Sequence, residues 1–118
     1  MSYRSHVLVV EDDPDIVDVL IAMLESQYHV SSATTVEEAM AFLRNSHVDV
    51  VLADQVLPDG RGSDVARLAE AVGAAVIEMS GYAQDEDALE RSDRPYLGKP
   101  FGMQALLSTV GHVLRAHG

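Results

Sequence analysis

The chain has 118 residues, of which 19 are acidic and 8 basic, for a formal charge of −11. With 47 % hydrophobic residues, a chain of this length can bury roughly two-thirds of its unfolded surface around one core, which excludes a disordered acidic tail and predicts one domain over 1–118. Cysteine is absent, which excludes a disulfide scaffold, a thiolate zinc site and a cysteine nucleophile; the acidic balance without a basic run argues against direct nucleic-acid binding.

The segment Met1-Ser-Tyr-Arg-Ser-His6 has no apolar core of signal length, and no later stretch approaches the ~20 apolar residues of a membrane span. A cytoplasmic protein without membrane insertion is expected. Val7-Leu-Val-Val10 is a short β-branched run and reads as a buried strand. Ile16, Val19, Leu20, Met23 and Leu24 then follow a 3.6-residue spacing, with Pro14 at a first helical position and Asp13 as its cap. His29-Val-Ser-Ser32 is a weaker run that suits an edge strand. Thr35-Val-Glu-Glu38 fits a capping box, and Val36, Ala39, Met40 and Leu43 form the helical stripe behind it. Val48-Asp-Val-Val-Leu-Ala53 predicts a central strand, with a turn at Pro58-Asp-Gly60. Ser63 to Val72 predicts a third helix, which Gly73 is placed to stop. Ala74-Ala-Val-Ile-Glu-Met79 reads as a further strand. From Gln84 to Arg91 a short fourth helix has almost only Ala88 and Leu89 as apolar residues. Tyr96-Leu-Gly98 suits a second edge strand, and Met103, Leu106, Leu107, Val110 and Leu114 mark a last helix ending near His117.

Five strands alternating with five helices on short connections predict an α/β fold: a parallel sheet, doubly wound, with right-handed crossovers and helices on both faces. In such sheets the ligand site lies outside the carboxyl ends of the strands. At those ends stand Glu11-Asp12-Asp13, Asp54, Ser80-Gly81 and Lys99-Pro100, and Lys99 is the only lysine of the chain. Each has a bland reading. Acids before Pro14 can be a helix cap, an Asp after an apolar strand can start a turn, Ser-Gly is a common loop pair, and one lysine can be a surface charge. Their coincidence at four strand ends favours a site. Carboxylates gathered there repel unless a cation sits among them or some are protonated, and an oxygen-only set selects a hard ion, Mg²⁺ in the first place.

Taken together, Val7-Leu-Val-Val-Glu-Asp-Asp-Pro14, Asp49-Val-Val-Leu-Ala-Asp54, Leu57-Pro58 with Gly62, Met79-Ser-Gly-Tyr82 and Tyr96-Leu-Gly-Lys-Pro-Phe101 resemble the receiver domain of response regulators in two-component signal transduction, of the stand-alone type. The resemblance covers essentially the whole chain. It implies a flavodoxin-like strand order 2-1-3-4-5, with Asp54 as phosphoacceptor. It further implies Mg²⁺ held by Glu11, Asp12, Asp54 and the backbone carbonyl of Val56, with Asp13 left to cap the helix. Lys99 would pair with the phosphoryl group, Ser80 would supply a hydroxyl to it, Tyr96 would turn inward on activation, and a cis peptide bond would precede Pro100. The implied partner is a histidine kinase or histidine phosphotransfer protein. The stretch from Ser80 to Lys99 is about one helical turn shorter than the family pattern. Val56 and Tyr82, two residues beyond Asp54 and Ser80, would gate water and slow the loss of phosphate.

The favoured function is thus a phosphorylation-dependent switch or relay that catalyses only its own phosphorylation and dephosphorylation, and no output domain is read after the last helix. The alternative is a phosphorylation-independent adaptor of the same fold. A flavodoxin-like cofactor binder would need a Ser/Thr/Gly-rich loop after the first strand, where this chain has three acids. A hydrolase with an aspartyl nucleophile on the first strand would need two acids spaced by two at its end; Asp13 and Asp15 have the spacing but begin too late. The five histidines, His6, His29, His47, His112 and His117, have no ligand spacing. Met23, Met40, Met79 and Met103 read as core filling and Phe101 as packing at the base of the last helix.

Overall fold

The computed structural model describes residues 4–81 and 94–117. In chain order they form β1 (His6–Val10), α1 (Pro14–Leu24), β2 (His29–Ala33), α2 (Val36–Asn45), β3 (Val50–Asp54), β4 (Val56–Leu57), β5 (Gly60–Arg61), α3 (Gly62–Ala71), β6 (Ala75–Ser80), β7 (Tyr96–Gly98) and α4 (Met103–His117). The main sheet is parallel throughout, in the order β2-β1-β3-β6-β7. This is the expected flavodoxin-like order, with β6 and β7 as its fourth and fifth strands and the two weak runs on its edges. The expected short helix from Gln84 to Arg91, and Tyr82 before it, lie outside the described residues.

Strand alternation divides the core. Leu8, Val10, Val51, Ala53 and Val76 face α2 and α3, where they meet Val36, Ala39, Leu43, Val65 and Ala69. Val7, Val9, Leu52, Ile77 and Met79 face the other way, onto Leu20 and Leu24 of α1 and Leu106 and Val110 of α4. The central strands are apolar on both faces because helices cover both. Met79 is fully buried, and Met23, Met40 and Phe101 pack against the core as expected. Met103 does not: it opens α4 at 47 % exposure, because the first turn of a helix projects beyond the sheet edge that its later residues cover.

The helix starts are set by side chains. Asp13 caps α1 by accepting from the Asp15 amide at 2.9 Å. At α2, Thr35 Oγ1 accepts from the Glu38 amide at 3.0 Å, while the Glu38 carboxylate accepts from the Thr34 amide at 2.9 Å, one residue before the cap. The β4–β5 hairpin is a difference from the sequence reading, which anticipated only the turn at its tip. Two-residue strands carry too little periodicity to be read. Val56 pairs with Arg61 and Leu57 with Gly60, antiparallel.

At the end of β3 the backbone crowds. A Cβ on Gly62 would lie 2.2 Å from the carbonyl oxygen of Asp54. The Gly62 amide donates to the Gln55 carbonyl at 3.1 Å, and the Gln55 amide to the Met79 carbonyl at 2.9 Å. Glycine is required here by close approach, since the obstructing atom belongs to the main chain. The Gly62→Ala variant is expected to lose about 1–3 kcal/mol of stability, the usual cost of overpacking a filled site. Urea melts measure it, and a loss below about 0.5 kcal/mol would mean that the Asp54 backbone yields at little cost.

At the opposite end of the sheet three histidines that lack ligand spacing come together. The His47 carbonyl can only accept, so the His6 Nδ1 3.0 Å away carries the proton, and the neutral Nε2 accepts from the Ser31 hydroxyl at 2.8 Å. The His6 ring lies 4.9 Å from that of His29 and edge-on to Phe42. The Asp49 carboxylate accepts from the His6 amide at 2.7 Å and pairs with the His47 ring at 3.0 Å. Burial holds the His6 pKa below its usual 6.5, against the raising effects of the His47 carbonyl and the Asp49 charge. A base whose folded pKa is depressed stabilises the fold above its unfolded pKa and stops doing so as pH falls through the folded value. Stability is therefore expected to fall as the pH drops below 6.5, and to fall less steeply in His6→Gln; parallel curves for the two proteins would contradict this.

Candidate functional site

Three loops meet at the carboxyl edge of the sheet because β1, β3 and β7 all end there. Glu11 follows β1, and its amide donates to the Ala33 carbonyl at 3.0 Å, so its side chain is drawn over the sheet edge, only 1 % exposed. Asp12 beside it is exposed, and Asp54, the last residue of β3, is half-buried. These three offer carboxylate oxygens within 4.8 Å of one another. They line a pit of about 420 Å³ with Asp13, Ile16, Val56, Gly81 and Lys99.

Lys99, just past β7, enters the pit from the far side. Its ammonium donates to Glu11 Oε1 and lies 3.4 Å from Asp54 Oδ2. Its amide donates to the Ser80 carbonyl at 2.6 Å, which fixes the point at which the side chain leaves the sheet. Burial is the largest single influence on its pKa and lowers it, but the Glu11 hydrogen bond and the Asp54 and Glu11 charges outweigh it, so the pKa is raised. With its pKa raised from an already basic value, Lys99 carries its charge at neutral pH. The Lys99–Pro100 peptide is cis, as expected. One ammonium against the four carboxylates of Glu11, Asp12, Asp13 and Asp54 leaves the pit strongly negative. All its donors are oxygens, a set that suits a hard divalent cation such as Mg²⁺.

Ser80 ends β6 and is fully buried. Register pairs Glu78 with Tyr96 and Ser80 with Gly98, so Ser80 and the half-buried Tyr96 share one face of the sheet, the face of α2 and α3. Val56 stands on the pit's rim, 55 % exposed. Tyr82 lies outside the described residues. Asp13 lines the pit but spends a carboxylate oxygen on its helix cap. Beside the pit an apolar groove of about 540 Å³ runs past Val19, Leu20, Met23 and Phe101.

Two features near the site have no counterpart in the sequence reading. Asp59, at the tip of the β4–β5 hairpin, accepts from the Val36 and Glu37 amides at 2.7 and 3.0 Å. Those two hydrogen bonds hold its pKa below the usual carboxylate value. Only its turn context was legible, because its partners are 22 and 23 residues away. The second is Glu78, a buried carboxylate in the middle of β6. Burial raises its pKa, against the opposing effect of Arg94 at 3.5 Å. Arg94 in turn donates from Nε and Nη2 to both oxygens of Glu70 on α3, at 3.0 and 2.9 Å. A charged residue inside an otherwise apolar strand was the available signal.

Comparison with known proteins agrees with this geometry. Residues 7–111 match the response regulator receiver domain. The response regulator SaeR of Staphylococcus aureus is 28 % identical over 116 residues, which cover 93 % of this chain and 50 % of that protein. The chain therefore spans about half the length of the curated relatives it matches. A CheY-like response regulator receiver domain protein of Methanospirillum hungatei JF-1 superposes with a TM-score of 0.86 at 28 % identity, covering 98 % of this chain and 97 % of the other. The receiver domain of sensor histidine kinase PA1611 from Pseudomonas aeruginosa PAO1, which has a magnesium ion coordinated in its active site cleft, does so at 0.83 and 25 % identity, covering 96 % and 99 %. Among the described residues no helix is long and apolar enough to cross a membrane. With an acidic pit and one ammonium at the carboxyl edge of a 2-1-3-6-7 sheet, and a family match over nearly its whole length, the chain belongs to the response regulator receiver domains of two-component signalling.

Proposed function

We propose that Asp54 accepts a phosphoryl group from a phosphohistidine on a histidine kinase or phosphotransfer protein, and that this chain is a phosphorylation-dependent switch or relay. The observation that carries the reading is the Lys99 ammonium set between Glu11 and Asp54 in an otherwise acidic pit. An Asp54 oxygen attacks phosphorus, the phosphorus–nitrogen bond breaks, and its electron pair returns to the donor imidazole. Phosphoryl transfer of this kind is mostly positioning plus charge stabilisation. Lys99 serves both needs, since its ammonium touches the nucleophile and can follow the charge onto the phosphoryl oxygens. Glu11, Asp12, Asp54 and the Val56 carbonyl are the residues that would hold Mg²⁺, which when bound supplies positive charge to the carboxylate and phosphoryl oxygens.

In this reading the Ser80 hydroxyl donates to the phosphoryl group, and Tyr96, on the same sheet face, turns inward with it. Val56 and Tyr82 restrain hydrolysis. Loss of phosphate needs a water in line with the bond from Asp54 to phosphorus, and a valine on the rim offers no hydrogen bond to orient one.

Acetyl phosphate with Mg²⁺ is expected to add one phosphoryl group to the wild type and none to Asp54→Asn, read by intact mass. Labelling that persists in Asp54→Asn, or that is absent from the wild type, would sink the assignment. The phosphorylated state is expected to decay slowly for a receiver, and faster in Tyr82→Ala. An already rapid decay that this substitution leaves unchanged would remove both side chains from the gate.

A further inference from the structure

The β4–β5 hairpin starts at Val56, on the rim of the acidic pit, and has only two residues per strand. Hairpins of that size do not hold their shape alone. Leu57 is buried in the core with Val36, and three further contacts hold this one. Gly62 lies against the Asp54 carbonyl, as described above. The Asp64 carboxylate accepts from the Arg61 amide at 3.1 Å, tying the second strand to α3. The tip is tied to α2, where Asp59 takes the first two amides of the helix, one on each carboxylate oxygen, at 2.7 and 3.0 Å. The third amide, that of Glu38, goes to Thr35.

Thr35 and Asp59 therefore both cap α2, but of these two caps only Asp59 joins the helix to the loop that follows Asp54. As a cap alone it would be redundant in kind. Its carboxylate spans two elements whose hydrogen-bonded residues are 22 and 23 positions apart, and both of its oxygens are used.

We infer that Asp59 is a positioning residue: by bridging the amides of Val36 and Glu37 it fixes the β4–β5 hairpin and so the place of the Val56 carbonyl beside Asp54 and the acidic pit. The inference rests on the reading of that pit as a Mg²⁺ and phosphoryl site. It deepens that reading by making the N-terminus of α2 part of the site's support. The low pKa of Asp59 agrees, since both amides favour the charged carboxylate.

The test compares Asp59→Ala with Thr35→Ala, which removes a cap of the same helix without touching the hairpin, in the full chain. Amide hydrogen exchange of the segment 55–61 is measured on metal-free protein, and Mg²⁺ affinity by calorimetry. Asp59→Ala is expected to speed exchange in the hairpin and to weaken Mg²⁺ binding roughly tenfold, the usual scale for groups that orient metal ligands. Thr35→Ala should do neither, and Glu37→Gln, which removes a nearby charge, should leave the affinity within about twofold. Asp59→Asn keeps one acceptor oxygen and should fall between wild type and Asp59→Ala, which also covers the case in which the alanine variant folds poorly. Unchanged Mg²⁺ affinity in Asp59→Ala, or an equal loss in Thr35→Ala or Glu37→Gln, would overturn the inference. If the wild type itself binds no Mg²⁺, the functional reading falls. Exchange then decides: faster exchange confined to the Asp59 variants upholds the anchoring, and equal exchange in all proteins overturns it.

Discussion

Four carboxylates, those of Glu11, Asp12, Asp13 and Asp54, line one pit at the carboxyl edge of the sheet, and their mutual repulsion is the constraint around which the rest is arranged. Lys99 answers it from inside the fold by donating to Glu11 while standing 3.4 Å from Asp54. Glu11 is deeply buried, and the Lys99 ammonium is the partner that compensates it, where burial of an uncompensated carboxylate costs several kcal/mol. The ammonium compensates only part of the charge, and the remainder is what makes the pit a place for a hard cation and for phosphoryl chemistry. The same arrangement that costs stability thus supplies the reactivity of the site.

Keeping those groups in place requires a rigid frame, which the sealed strands and the pinned hairpin supply. β1 and β3 are apolar on both faces and sealed by helices, so Glu11 and Asp54 leave the sheet from fixed points. The hairpin after Asp54 is then pinned to α2, α3 and the end of β3 by Asp59, Asp64 and Gly62. Loops that carry chemistry are usually the mobile parts of a fold, but this one is tied at each corner by a backbone amide or a backbone contact.

A second charged group lies under the face shared by Ser80 and Tyr96. Glu78 is buried where the neighbouring positions of β6 are apolar, and Arg94 approaches it while holding Glu70 with two hydrogen bonds. Removing one partner of a buried pair generally costs more than replacing the whole pair by apolar residues. The trio ties α3 to β6 through the residue two positions before β7.

The sequence alone determined the fold class, the edge strands, the caps at Asp13 and Thr35, and the candidate site, because each is written in local patterns: period-two and period-3.6 apolar spacing, capping residues, and polar residues placed directly after apolar runs. It also held the motifs from Val7 to Phe101 that carry the family. Tertiary structure decided what depends on residues far apart in the chain. The bidentate cap of Asp59 on α2, the Glu70–Arg94–Glu78 trio and the gathering of His6, His29 and His47 join side chains whose separation bears no periodic signature. The exposure of Met103 was decided in the same way, since a helical stripe shows which face is apolar but not where the sheet beneath it ends. Lys99 belongs to both accounts: its place after the last strand could be read from the sequence, whereas its donation to Glu11, 88 residues earlier, exists only because parallel strands bring their carboxyl ends to one edge.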